Sequence, residues 1–278
     1  MITSEPIPFK AAIEAAQARQ LLPTGAGTEE LELLNPLIRE RAWFSARVDN
    51  ARYLDRIAQT VTDLVSPTRA TADGRWGINK AEARLRLQEE LARIGYDSEA
   101  QGVKPGSLQD WSSDARLNLV IETNADMQRG KGAYVQGRSR GALAAFPAQE
   151  LYRREARNEK RDWVSRWRAA GGKLYGAGRM VALKTDPVWQ GISRFGLPYP
   201  PYDFGSGMWV RPVSRRNAKE MGLEIPRLDE LTSEAAAQEA PEQPEVSLPK
   251  NRSLATALLQ AFANRVTLTQ DGKIRLES

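Results

Sequence analysis

The stretch FSARVDNARYLDRIAQTVTDL, residues 44–64, sets Val48, Ala51, Leu54, Ile57, Val61 and Leu64 at steps of three and four. That spacing places the apolar side chains on one stripe of a helix with a polar opposite face. A later stretch has another character. PYPPYDFGSGMW, residues 198–209, mixes aromatic rings with proline, which fixes φ, and glycine, which permits positive φ. It reads as a shaped, non-repetitive loop packed by its rings, either a corner that caps the core or an aromatic docking surface. A helical part followed by an irregular aromatic part makes the chain α+β.

Working outward from the first stretch, Pro67 stops the helix and the polar segment around Asp73-Gly74-Arg75 turns the chain. A second stripe, read as Ile78, Ala81, Leu85 and Ile94, then runs to Gly95, so the two helices form an antiparallel pair. Upstream, Pro8 to Leu22 is alanine-rich and helix-prone, an arm helix within residues 1–40 that ends at Pro23-Thr24-Gly25. Downstream, Ser112 or Ser113 caps a third helix carrying Leu117, Val120, Ile121 and Met127. Its expected end is the run Gln128 to Gly132, where two glycines weaken helical propensity.

From Ala148 the chain turns aromatic and arginine-rich, and beyond Gly171 proline and glycine interleave with the rings. Short strands and ordered loops are expected there, making residues 44–136 the helical part and 148–222 the α+β part of a unit spanning 41–225. Residues 226–250 carry Asp229, Glu230, Glu234, Glu239, Glu242 and Glu245 amid alanine, proline and glutamine, which reads as an acidic flexible linker. Residues 251–278 then give a short helix with Leu254, Leu258 and Phe262, followed by a hairpin about Asp271-Gly272.

The 278 residues contain no histidine and no cysteine, which excludes disulfides, thiolate or imidazole catalysis and the usual zinc ligands. No cofactor is expected. The start Met-Ile-Thr-Ser-Glu lacks a signal-peptide pattern, and no long apolar run predicts a membrane span. Lys+Arg 40 against Asp+Glu 35 is a mixed surface, so the placement of charge matters more than its sum of +5. That placement draws attention to Arg138–Arg168, above all Arg153, Arg154, Arg157, Arg161, Arg166 and Arg168 with tryptophans between them. Such a run either tracks a phosphate backbone or forms a solvated face paired with neighbouring carboxylates. The glycines Gly130, Gly132, Gly137 and Gly141 lack the strand and the Gly-Lys-Ser/Thr ending of a phosphate loop. A carboxylate pair such as Asp186 and Asp203, holding Mg²⁺ for nuclease chemistry, is the weakest of the alternatives.

The order of features from residue 44 to 222 resembles the Mu F-like minor head proteins, or head-morphogenesis proteins, of tailed phages and prophages. Glu122-Thr123-Asn124 looks like that family's central-helix signature, and the arginine segment and the Gly171-Gly172 turn follow in order. Asp186-Pro187-Val188-Trp189 looks like its Asp-Pro-Phe-Trp element, and Tyr199-Pro200-Pro201 like the Pro-Pro turn before a last strand that carries Trp209. The resemblance implies a structural head protein that does no catalysis and has no small-molecule substrate. It further implies a place in the virion or procapsid, with assembly in the host cytoplasm, partnered by portal and head proteins and by packaged DNA but not by membrane. Many members carry histidine and cysteine where this chain has Asp162-Trp163 and Ser206 to Trp209. The resemblance therefore implies an aromatic corner at those positions here.

Overall fold

A computed structural model describes residues 10–65, 77–156, 160–239, 245–247, 252–263, 265–269 and 273–276. In chain order the elements are α1 (Lys10–Gln17), β1 (Gln20–Leu21), α2 (Thr28–Glu32), α3 (Pro36–Arg41), β2 (Ala42–Trp43), α4 (Ala51–Val65), α5 (Lys80–Arg93) and α6 (Asp114–Gly137). They continue with α7 (Arg140–Ala145), β3 (Ala148–Arg153), α8 (Trp163–Ala169), β4 (Leu174–Tyr175), β5 (Arg179–Leu183), α9 (Val188–Gly191), β6 (Met208–Val213) and α10 (Arg215–Glu220). The last are α11 (Leu228–Glu239), β7 (Glu245–Ser247), α12 (Arg252–Ala261), β8 (Val266–Leu268) and β9 (Lys273–Leu276). The α+β class holds, with helices dominating the N-terminal half. Among the described residues no helix is long and apolar enough to cross a membrane.

The chain divides into two compact units, one of residues 1–128 with 243–278 and the other of residues 129–242, so the boundary falls inside α6. In the first unit α4 and α5 pack together as the two-helix reading expects, with Leu54, Ile57 and Val61 buried. Of the stripe read from sequence, Ile78 and Ile94 pack against this core, but Ala81 and Leu85 are exposed. Ala83, Leu87 and Leu91, spaced by four, are buried, whereas Leu85 is 55% exposed. Glu90 on the same buried side disguises the pattern, because its carboxylate is held by Arg52 and Arg93 at 2.6 and 2.5 Å. Asn79 opens α5 with a reciprocal cap: its side chain accepts from the Glu82 amide while the Glu82 carboxylate accepts from the Asn79 amide. Ser113, not Ser112, caps α6 by accepting from the Arg116 amide at 3.1 Å.

The C-terminal helix and paired strands form as expected, β8 lying antiparallel to β9, although the Asp271-Gly272 turn lies outside the described residues. The helix does not belong to a separate tail. Leu254, Leu258 and Phe262 share a buried cluster with Leu22, Leu31, Leu34 and Ile38, so the end of the chain completes the core of the first unit.

In the second unit a four-stranded antiparallel sheet has the order β4-β5-β3-β6. One face sets Leu151, Ala182, Met208 and Val210 against Trp163 and Trp167 of α8 and Trp189 of α9. The other sets Ala148, Val181 and Val213 against Ala218 of α10 and Leu223. Two sequence expectations fail here. Helix α6 runs on through Gly130 and Gly132 to Gly137, with Gly130 packed directly against the Pro200 carbonyl. The acidic stretch is not a flexible linker over its first half, because α11 buries Leu231 and Ala235 on Leu143 of α7. Its acidic residues solvate the outer face of a short amphipathic helix, and the apolar positions Leu231 and Ala235 lie four apart.

Candidate functional site

The second unit is organised around an aromatic centre. Asp186 accepts a hydrogen bond from the Val188 amide at 2.8 Å and thereby opens α9, whose Trp189 donates from its indole to the Leu183 carbonyl at 2.7 Å. The Trp189 ring meets Trp167 edge-on at 5.1 Å and lies 6.2 Å from Tyr202. Asp162 caps α8 through the Ser165 amide and so places Trp163 and Trp167 on the sheet. A β-carbon on Gly172 would overlap the Trp167 indole, which explains that glycine without any phosphate. Burial pushes the Tyr202 phenol well above its ordinary pKa, so it stays neutral.

Around this centre, arginines gather on two buried carboxylates. Asp203 is approached by Arg166 at 3.0 Å, Arg161 at 3.4 Å and Arg194 at 3.6 Å, and Arg161 also donates to the Phe204 carbonyl. On the sheet, Glu150 of β3 takes Arg179 of β5 at 2.6 Å and Arg211 of β6 at 3.0 Å. The hydrogen bond from Arg179 holds the Glu150 carboxyl below the usual range against the opposing effect of burial. Both acids are nearly covered while the arginines stay between about one-third and just over half exposed. Each cluster therefore presents more positive than negative charge to solvent. Arg154 adds a guanidinium 4.3 Å from the centre of the Trp209 ring and pairs with Glu155.

Of the arginines singled out by sequence, the structure brings Arg161 and Arg166 together on Asp203 and lays Arg154 on Trp209. Arg153 stands on β3 opposite Met208, Arg168 is exposed in the last turn of α8, and Arg157 lies outside the described residues. Sequence reading missed Arg179 and Arg211, whose partner Glu150 is distant in the chain, and Arg194, which meets Asp203 across the aromatic-proline loop. Nothing local marks them. The proposed Asp186–Asp203 metal pair is not built: Asp186 caps α9 and Asp203 sits among three guanidiniums. Among the described residues no acidic group has the arrangement of a metal site.

The residues that carry the family resemblance divide between buried packing, helix capping and turns. Asn124, with Thr123 beside it on α6 in the first unit, is buried and donates to the Val120 carbonyl at 2.9 Å. Pro187 leads into α9 beside the buried Trp189, the Pro200–Pro201 bond is cis, and Trp209 is half-buried on β6.

A cleft of about 320 Å³ opens in the second unit between the end of α6, the Pro198-Tyr199-Pro200 turn and the edge strand β6. Tyr134, Tyr199, Phe146 and Trp209 supply rings, and Lys184 and Arg138 supply charge. Lys184 donates to the carbonyl of Gly137, the last residue of α6, at 2.8 Å. Burial, with Arg138 beside it, pushes its amine down to about 8. The Arg138 guanidinium lies 3.7 Å over the Tyr134 ring and donates to the Lys184 carbonyl.

No family model, curated protein or solved structure matches the chain.

Proposed function

We propose that this chain is a structural head-assembly protein of the Mu F-like kind, acting at the portal vertex of a phage or prophage head. The observation that supports this reading is the role of Trp189, Pro200 and Trp209. The positions that resemble the family are spent on packing and turn geometry in and around one aromatic centre, as suits a protein that works through surfaces. Its site is the virion or procapsid, and its partners are portal and head proteins. The test is copurification of the tagged protein with portal or procapsids from the producing cell. Deletion of its gene should leave heads that are unassembled or not infectious, and normal filled infectious heads after deletion would overturn the reading.

A second reading, contact with packaged or free DNA, is favoured by one specific feature: three guanidiniums share the single carboxylate of Asp203. Charge left over from such a cluster suits a phosphate backbone. Log K for duplex DNA should fall linearly with log salt. Replacing Arg161 and Arg166 by glutamine should flatten that slope by about 0.9 for each phosphate no longer neutralised. A slope of zero in the unmodified protein removes this reading and leaves the first untouched.

A further inference from the structure

We infer that the cleft beside β6 is a recognition pocket for a carboxylate carried on an apolar group, delivered by the chain end or an acidic side chain of a partner polypeptide. Three features of the cleft lead there, and its charged groups, Lys184 and Arg138, belong to neither arginine cluster.

The first is charge. Lys184 and Arg138 both line the cleft and, among the described residues, no aspartate or glutamate does. Lys184 is buried and makes no ion pair with a carboxylate among the described residues. Its ammonium donates to the Gly137 carbonyl. An ammonium has three donors, so others remain to be used. The C-terminal end of α6 offsets part of the cost of holding this cation out of water. A carboxylate offsets it further through a charge-assisted hydrogen bond in a shielded site.

The second is the lining. Phe146 is 41% exposed where it borders the cleft, and Tyr134, Tyr199, Pro198 and Val210 complete an apolar wall. A volume of about 320 Å³ is at the low end of the roughly 300–1,000 Å³ typical of ligand sites. It suits one side chain or chain end better than a large cofactor.

The third is the neighbouring strand. β6 is the outer strand of its sheet, paired among the described residues with β3 alone, and Val210 and Pro212 of that strand border the cleft. Proline is tolerated at an edge because its missing N–H costs no ladder bond there. An extended segment laid along such an edge gains main-chain hydrogen bonds while its end group enters the pocket. This is why a polypeptide, rather than a free small acid, is the assigned source.

The test is an amide-resonance titration of the full chain with N-acetyl-leucine, its neutral analogue N-acetyl-leucinamide, and a short leucine-ended peptide with a free carboxylate. The acid should give saturable shifts at Gly137, Lys184 and Val210. One charge-assisted hydrogen bond corresponds to binding at least about tenfold tighter than the neutral amide. The peptide should bind tighter than the free acid. Lys184→Met should abolish the preference for the acid, and Phe146→Ala should weaken both ligands while leaving that preference in place. Equal binding of acid and amide by the unmodified protein, or no saturable shift at these positions, overturns the pocket. Equal binding of peptide and free acid overturns the polypeptide source.

Discussion

Gly130, in the middle of α6, lies directly against the Pro200 carbonyl: a β-carbon at that position would overlap the carbonyl oxygen and stand 3.2 Å from the Tyr199 ring. The glycine that reads as a helix end is therefore a helix interior residue that lets another backbone come close. Alanine would favour the helix by about 1 kcal/mol in isolation. Here the obstacle is backbone and cannot swing aside, so overpacking decides the sign, at about 1–3 kcal/mol of destabilisation. Gly130→Ala should lower stability by that amount in urea denaturation. Gly141→Ala on α7, where nothing lies within 4 Å of the added carbon, should be neutral or stabilising. Equal effects at the two positions would count against this account.

Leu231 tests the docking of α11. It is fully buried with Leu143 and Ala235, and Leu231→Ala should cost about 2–4 kcal/mol through reduced burial and the cavity left behind. The same substitution in a flexible linker would change stability by less than about 0.5 kcal/mol. Tryptophan-fluorescence unfolding separates the two outcomes, since the second unit carries the buried tryptophans Trp163, Trp167 and Trp189.

Asp203 organises three arginines and accepts a hydrogen bond from the Phe204 amide at 2.8 Å. Asp203→Asn keeps the shape and removes the charge. Because the arginines remain partly exposed, water takes over some of their solvation, and the expected loss is about 2 kcal/mol rather than the larger cost of stranding a buried ion. The variant should melt lower than wild type, and it should bind duplex DNA more tightly if the second functional reading holds. An unchanged melting temperature would show that the carboxylate does not organise the cluster.

Lys184 gives a pH dependence with a definite sign. Its folded pKa of about 8 lies below the unfolded value near 10.5, so between those values the unfolded chain binds more protons and stability rises with pH. The contribution is complete above the unfolded value and is lost as pH falls through about 8; its full size is on the order of 3 kcal/mol. Burial raises the tyrosines Tyr53 and Tyr202, which act in the opposite direction in alkali. The informative quantity is therefore the stability difference between wild type and Lys184→Met. Urea titrations should show wild type gaining on the variant between about pH 8 and 10.5, and a constant difference would contradict the assignment.

Much of the local structure was legible in the sequence because its causes are local. The Leu54, Ile57 and Val61 stripe of α4 and the serine cap of α6 each depend on residues a turn or two apart. The stripe on α5 misled because Glu90 occupies a buried position that only its pairing with Arg52, on another helix, makes tolerable. The C-terminal helix was legible as a helix, but not as part of the first core, since its apolar face is satisfied by Leu22 and Ile38 more than two hundred residues earlier.

The sequence by itself determined the α+β class, the three long helices α4, α5 and α6 with the C-terminal helix, and the absence of every chemistry that needs imidazole or thiol. Tertiary structure alone decided which arginines converge on Asp203 and Glu150, that α11 docks on α7, that α6 continues through Gly130, and that Lys184 borders a cleft whose described lining holds no acid. The physical reason is range. Caps and periodic burial act over one helical turn, whereas ion clusters, close backbone approach and a buried cation depend on partners that only the folded chain brings together.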